Sequence, residues 1–191
     1  MRTMIETERL VLREYGEEDA ESFFRLNSDQ AVMRFTGDDL LMSVAQAREI
    51  LREHPLADYR THGFGRWACV LRESEEVIGF AGLKFLAETG EVDLGYRLLA
   101  AQWGRGLATE ACRAVVRYGF EILKMPEITA LVQPDNVASI RVLEKCGLTR
   151  TGMVYYRGRN VTRYAIRREA RLEQIADKAV DAGPERGESS P

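Results

Sequence analysis

Histidine is nearly missing from this chain. His54 and His62 are two in 191 residues, and without companion donors they cannot build a metal site. Either could serve as a base, or stand on a loop or the surface. Cysteine is scarce as well. Cys69, Cys112 and Cys146 are odd in number and far apart, which is no zinc spacing and suits a reducing cytosol. Cys112 and Cys146 fall inside helical patterns, where a cysteine acts as a small buried apolar residue. No apolar run approaches the roughly 20 residues that a membrane span requires, and "MRTMIETERLVLRE" contains no signal-peptide stretch. Charge of one sign is also lacking. With 27 Lys+Arg against 30 Asp+Glu, the chain has no general attraction for nucleic acid or an anionic membrane. There is no internal repeat and no linker. What remains is the expectation of one cytoplasmic domain, large enough for a sizeable core, that needs no metal.

The periodicities interleave strands and helices. "RLVLRE" (Arg9–Glu14) alternates and is β-rich. "EEDAESFFRLN" places Ala20, Phe23, Phe24 and Asn27 at helical spacing behind an acidic start. Ser43 and Gln46 form a capping box that opens a second helix towards Glu53, which His54-Pro55 stops. Trp67–Leu71 and Val77–Phe85 read as strands joined by a polar turn. A third strand follows Thr89-Gly90, with Glu91, Asp93 and Arg97 on one face and Val92, Leu94, Tyr96 and Leu98 on the other. Leu107, Ala111, Val115, Tyr118 and Ile122 step by three or four, giving an amphipathic helix that ends by Pro126. "EITALVQ" is a strand, and a short helix runs from an Asn136 cap to Gly147. "GMVYYRGRNVTRYAI" is two strands about a turn. A last helix over about 168–180 precedes a tail, 181–191, whose Gly/Pro/Ser content predicts disorder. The sum is a mixed α/β domain over 1–180, with its core at about 7–166 and a central sheet.

One stretch asks for an explanation. "AAQWGRGLATEACRAVVRYGF" spends Gly104 and Gly106 at the mouth of a helix. A plain turn is one reading, a phosphate site another. A P-loop is excluded because no G-K-[ST] follows, and the dinucleotide fingerprint would need glycine where Thr109 stands. The physics of anion binding still holds, because a glycine turn aims backbone amides one way and the helix N-terminus adds partial positive charge.

Taken with its neighbours, this stretch resembles a known family. "YRLLAAQWGRGLATEA" followed some thirty residues later by "VQPDNVASIRVLEKCGL" is similar to the GCN5-related N-acetyltransferases. "TERLVLRE", "GEVDLGYRL" and "WGRGLATEA" look like the branch of ribosomal-protein N-terminal acetyltransferases, and the likeness runs from about Thr7 to Ile166. The resemblance implies a mostly antiparallel, twisted sheet flanked by helices and splayed to admit acetyl-CoA, as a monomer or homodimer. It also implies that the loop Trp103, Gly104, Arg105, Gly106, Leu107, Ala108 and Thr109 holds the coenzyme A pyrophosphate. Trp103 stands where the superfamily has Gln or Arg. The strand Tyr96, Arg97, Leu98 would lend its backbone to the pantetheine arm, which Asn136 also contacts. Arg141 and Lys145 would meet the 3′-phosphate. Asn136 also reads as a simple N-cap, and the Arg141/Lys145 pair as a solvated face.

Acetyl transfer needs a neutral amine held close, a stabilised oxyanion and a thiolate released. An α-amine, with pKa about 7.7–8.0, needs less help than a lysine amine near about 10.4. The resemblance puts Asp93 in the place of the branch's usual Glu, with Glu91 on the same strand face as the second candidate base. Both also read as solvent-facing acids. Leu143 stands where the superfamily often has an acidic tyrosine. The branch's N-x-x-S arrangement is present as Asn136 and Ser139, so Ser139 is the candidate acid, or else a supporting cap. Amides around Gly95 and Tyr96 could polarise the thioester. The acceptor stays open between a protein N-terminus and a small amine such as a polyamine or aminoglycoside. A non-catalytic coenzyme-A-binding module is the reading from another class.

Overall fold

The computed structural model describes residues 1–169. The tail expected at 181–191, and all but the first two residues of the helix expected at 168–180, lie outside the described residues. Eight strands form one sheet: β1 (Thr3–Glu6), β2 (Leu10–Arg13), β3 (Arg66–Leu71), β4 (Val77–Leu86), β5 (Glu91–Leu98), β6 (Glu127–Val132), β7 (Thr149–Tyr156) and β8 (Arg159–Arg167). Their spatial order is β1-β2-β3-β4-β5-β6-β8-β7. Every neighbouring pair is antiparallel except β5 and β6. The helices are α1 (Ala20–Asn27), α2 (Gln30–Met33), α3 (Val44–Glu53), α4 (Pro55–His62), α5 (Leu107–Glu121) and α6 (Val137–Lys145).

Most expected elements are present, with local causes in view. Ser43 caps α3, its hydroxyl accepting the Gln46 amide, while the Gln46 side chain accepts from the Met42 amide. Asn136 caps α6. That helix ends in a Schellman arrangement: Gly147, at φ +89°, donates to Glu144 and Leu148 to Leu143. β1, α2 and α4 are not among the elements that the periodicities predict. His54-Pro55 does stop α3, but Pro55 is also the first residue of α4, a position where a missing N–H costs nothing. Ile122, expected on the apolar stripe of α5, is its C-cap and lies 62% exposed.

The main core lies between α5 and the sheet. Leu83, Leu94, Leu107, Ala111, Val115 and Ile128 are all buried there, each large side chain contributing about 1.5–3 kcal/mol. A second cluster, built on Tyr15, Phe23, Leu41, Ala47 and Leu51, seats α1 and α3 around Ala68 of β3.

The feature that positions a site is the parallel junction. β5 and β6 are in register at one pair, Asp93↔Thr129, so beyond Asp93 the two strands separate into a wedge. The Leu99 amide donates to Ile78 of β4. Alternation then turns the odd-numbered backbone groups of β5 towards β4 and the even-numbered ones towards β6. The backbone of Tyr96 and the amide of Leu98 therefore face into the wedge.

Candidate active site

At the end of β5 a short 3-10 turn (Ala100–Gln102) leads to Trp103. The chain then turns through Gly104 at φ +74° and Gly106 at φ +79°, the latter being the N-cap of α5. These left-handed values favour glycine. A Cβ at Gly104 would meet nothing within 4 Å, and one at Gly106 would meet only the Arg9 guanidinium at 3.6 Å. The space before the loop is therefore open, and the first amides of a 15-residue helix lie beside it. Such an arrangement can seat an anion.

Residues from the turn between β1 and β2 hold the loop. Arg9 Nη1 donates to the Arg105 carbonyl at 2.9 Å. Its Nε donates to Glu110 Oε2 at 2.6 Å. The Thr7 hydroxyl and the Arg9 amide donate to Glu110 Oε1 at 2.7 and 2.9 Å. Burial pushes the Glu110 carboxyl up, but these bonds outweigh it and hold the group below its ordinary range. The Trp103 indole N–H donates to the Leu98 carbonyl at 2.8 Å, leaving the ring half exposed. Leu107 is buried and anchors the helix start. Ala108 packs against the core, and the Thr109 carbonyl lies 3.9 Å from the Cys146 sulfur.

Across the wedge, Asn136 Oδ1 accepts the Ser139 amide at 3.1 Å, so its capping role is real. The Ser139 hydroxyl lies 2.9 Å from the Tyr96 hydroxyl. Burial raises the Tyr96 phenol above its ordinary value, against the bond with Ser139. Arg141 and Lys145 lie exposed on α6, and the Lys145 carbonyl accepts from Arg113 of α5 at 3.0 Å.

The polar face of β5 is not the solvated face that its alternation suggests. Asp93 is 8% exposed. Its Oδ2 lies 2.5 Å from Arg66 Nη2, and its Oδ1 accepts the Leu131 amide at 3.1 Å, stitching β5 to β6 where they part. Burial raises the Asp93 carboxyl, and Arg66 and the Leu131 amide only partly offset it. Glu91 pairs with Arg163 at 2.6 Å. It borders a cleft lined also by Leu131, Val154, Tyr155 and Tyr156. The Arg97 backbone turns towards β4. Its guanidinium reaches Asn27 of α1 and, at 3.0 Å, Asp38, anchoring the 34–42 segment to β5. His54 sits between α3 and α4, and the His62 ring lies against Phe64 and Phe85.

Sequence reasoning did not find the roles of Thr7, Arg9, Glu110 and Arg66. The first three fall within quoted motifs, but nothing local links residues about a hundred positions apart.

The Acetyltransferase (GNAT) domain model matches residues 9–149. The chain is 34% identical over 163 residues to the uncharacterized N-acetyltransferase YoaA of Bacillus subtilis (strain 168), covering 84% of this chain and 92% of that protein. It aligns with an acetyltransferase from Agrobacterium tumefaciens str. C58 at a TM-score of 0.75 and 26% identity, over 87% of this chain and 94% of that one. A spermidine N-acetyltransferase from Vibrio cholerae, solved with CoA and spermine, shares the fold at a TM-score of 0.72 and 19% identity, over 87% and 99% of the two chains.

Proposed function

Since this chain belongs to the GNAT acetyltransferase family, we propose that it moves an acetyl group from acetyl-CoA to a protein or peptide N-terminal α-amine, by direct attack in a ternary complex. The chain is an enzyme of the N-acetyltransferase class, so the reading concerns its donor, its acceptor and its working residues.

The open glycine turn at the head of α5 fits a diphosphate, and the wedge fits an extended arm that can bond to the Tyr96 backbone like an added strand. Gly104 to Thr109 would hold the pyrophosphate, with Arg9 and Glu110 fixing the loop's shape. Trp103 closes the Leu98 carbonyl, which leaves the Tyr96 groups and the Leu98 amide as the arm's partners. Asn136 would flank the arm while keeping its cap. Arg141 and Lys145 stand at the solvent edge, open to a further phosphate. When bound, acetyl-CoA supplies an activated acetyl thioester. Ser139 donates a hydrogen bond at the sulfur, the Tyr96 amide, which unlike the β4-facing Gly95 amide opens on the wedge, stabilises negative charge on oxygen, and Asp93, with Glu91 as the second candidate, receives the amine proton through water.

One observation carries the choice of acceptor: both candidate bases are already ion-paired, Asp93 to Arg66 and Glu91 to Arg163. Even with burial raising Asp93, a carboxylate held by a guanidinium is a poor base for an ammonium of pKa about 10.4, but sufficient for an α-amine at about 7.7–8.0, a substantial fraction of which is already neutral. The Vibrio cholerae neighbour acts on spermidine, so a small amine is the second reading.

The test is thiol release from acetyl-CoA with four acceptor sets: peptides with a free α-amine, the same peptides N-terminally blocked but carrying lysine, polyamines, and aminoglycosides. The expected result is the highest kcat/KM for free α-amines. A preference for polyamines or aminoglycosides overturns the acceptor. Coenzyme binding without release for any amine points to a binding module.

A further inference from the structure

α6 carries no tyrosine of its own, and its Leu143 is buried. A tyrosine nevertheless reaches the same helix from another strand. Tyr96 lies on the apolar face of β5, past the last residue paired with β6. Its hydroxyl crosses to the first turn of α6 and meets Ser139 Oγ at 2.9 Å. On the acetyl-transfer reading, which this deepens, we propose that Tyr96 is the positioning residue that aims the Ser139 hydroxyl at the coenzyme sulfur.

The direction of the bond follows from acidity. A phenol is a far stronger donor than an aliphatic alcohol, and its oxygen, conjugated with the ring, is the poorer acceptor. Tyr96 therefore donates and Ser139 accepts. Burial keeps the phenol protonated by raising it above its ordinary value, so its donor role persists across the working pH range. The Ser139 amide is already committed to Asn136, and the Ser139 hydroxyl has no other partner among the described residues. Its own proton is left to point at a third atom. A hydroxyl that accepts one bond is also polarised to donate a stronger one. No proton leaves Tyr96. It holds one rotor, and Ser139 makes the contact.

The experiment reads the thiol of bound coenzyme A by ultraviolet thiolate absorbance against pH, with the apo-protein titration subtracted to remove Cys69, Cys112 and Cys146. It needs no acceptor. Four proteins are compared: the wild type, Tyr96→Phe, Ser139→Ala and the double variant. The bound thiol should ionise at a pH about one unit lower in the wild type than in Tyr96→Phe, a tenfold change in its ionisation constant. Ser139→Ala should raise it at least as far, and the double variant no further than Ser139→Ala, because the two groups act as one. Turnover of Tyr96→Phe should fall about tenfold in kcat with KM for acetyl-CoA nearly unchanged. An unchanged thiol titration in Tyr96→Phe overturns the proposal. So does a Tyr96→Phe effect that persists in the Ser139→Ala background, which would mark packing rather than positioning. If the wild type gives no coenzyme thiol signal at all, the coenzyme reading itself fails, and this inference falls with it.

Discussion

Arg9 and Glu110 are 101 positions apart in the chain, yet the guanidinium and carboxylate meet at 2.6 Å. The same guanidinium bonds the Arg105 carbonyl, so a residue of the turn between β1 and β2 sets the shape of the glycine turn before α5. The pair is partly exposed, with Arg9 at 43% and Glu110 at 17% of side-chain area. Its worth to global stability is therefore modest, and its consequence is local.

Arg9→Ala should weaken coenzyme A binding about tenfold, the value of a charge-assisted bond that orders a loop, while the melting temperature moves little. Calorimetry and a thermal scan on one sample check both. A large loss of stability with unchanged affinity would assign Arg9 to the fold instead.

The pH dependence of the same contact has a definite sign. The folded Glu110 carboxyl is held below its ordinary 4.5 because the bonds from Thr7 and Arg9 outweigh burial. Its stabilising contribution is complete above the unfolded value and is lost as pH falls through the folded one. Melting temperature should therefore decline on acidification below about 4.5, and Glu110→Gln should decline less steeply over that window. Parallel curves for the two proteins would count against the contact.

Gly106→Val should abolish measurable coenzyme A binding in a chain that still folds. A β-branched residue at φ +79° is strained and places carbon in the open space before the amides. Gly106→Ala should lose less, since its Cβ would meet only Arg9 at 3.6 Å. Wild-type affinity in a folded Gly106→Val removes the loop from the binding site.

Asp93→Asn should lower turnover by about 10²–10⁴, the range of general base catalysis, and flatten the acidic limb of the pH–rate profile. It should also destabilise the protein, by at most about 3–5 kcal/mol, because Arg66 loses its partner in a largely buried place. Turnover must therefore be measured at a temperature where circular dichroism shows the variant folded. A full wild-type profile there passes the base role to Glu91, to ordered water or to the acceptor itself.

Of the two tryptophans, Trp67 is fully buried and Trp103 half exposed beside the glycine turn. Coenzyme A should change the tryptophan emission of the wild type and leave Trp103→Phe unaffected. An equal response in both proteins would place the ligand elsewhere.

The sequence by itself determined what depends on neighbours three or four residues away, or on alternation along a strand. The Ser43 and Asn136 caps, the apolar stripe of α5, the Gly147 terminus and the glycine turn at the head of α5 are all local physics, and each leaves a residue-type signature at a fixed offset. Tertiary structure decided which side chains meet across the wedge. The partners of Glu110, Asp93 and Ser139 lie 101, 27 and 43 positions away, and each depends on a strand register or a helix docking that no local spacing encodes. It also decided that the polar face of β5 is ion-paired and, at Asp93, buried. Alternation separates the two faces of a strand, but whether the polar one meets water or an opposing arginine is settled only when Arg66 of β3 and the helices beyond it are packed in place.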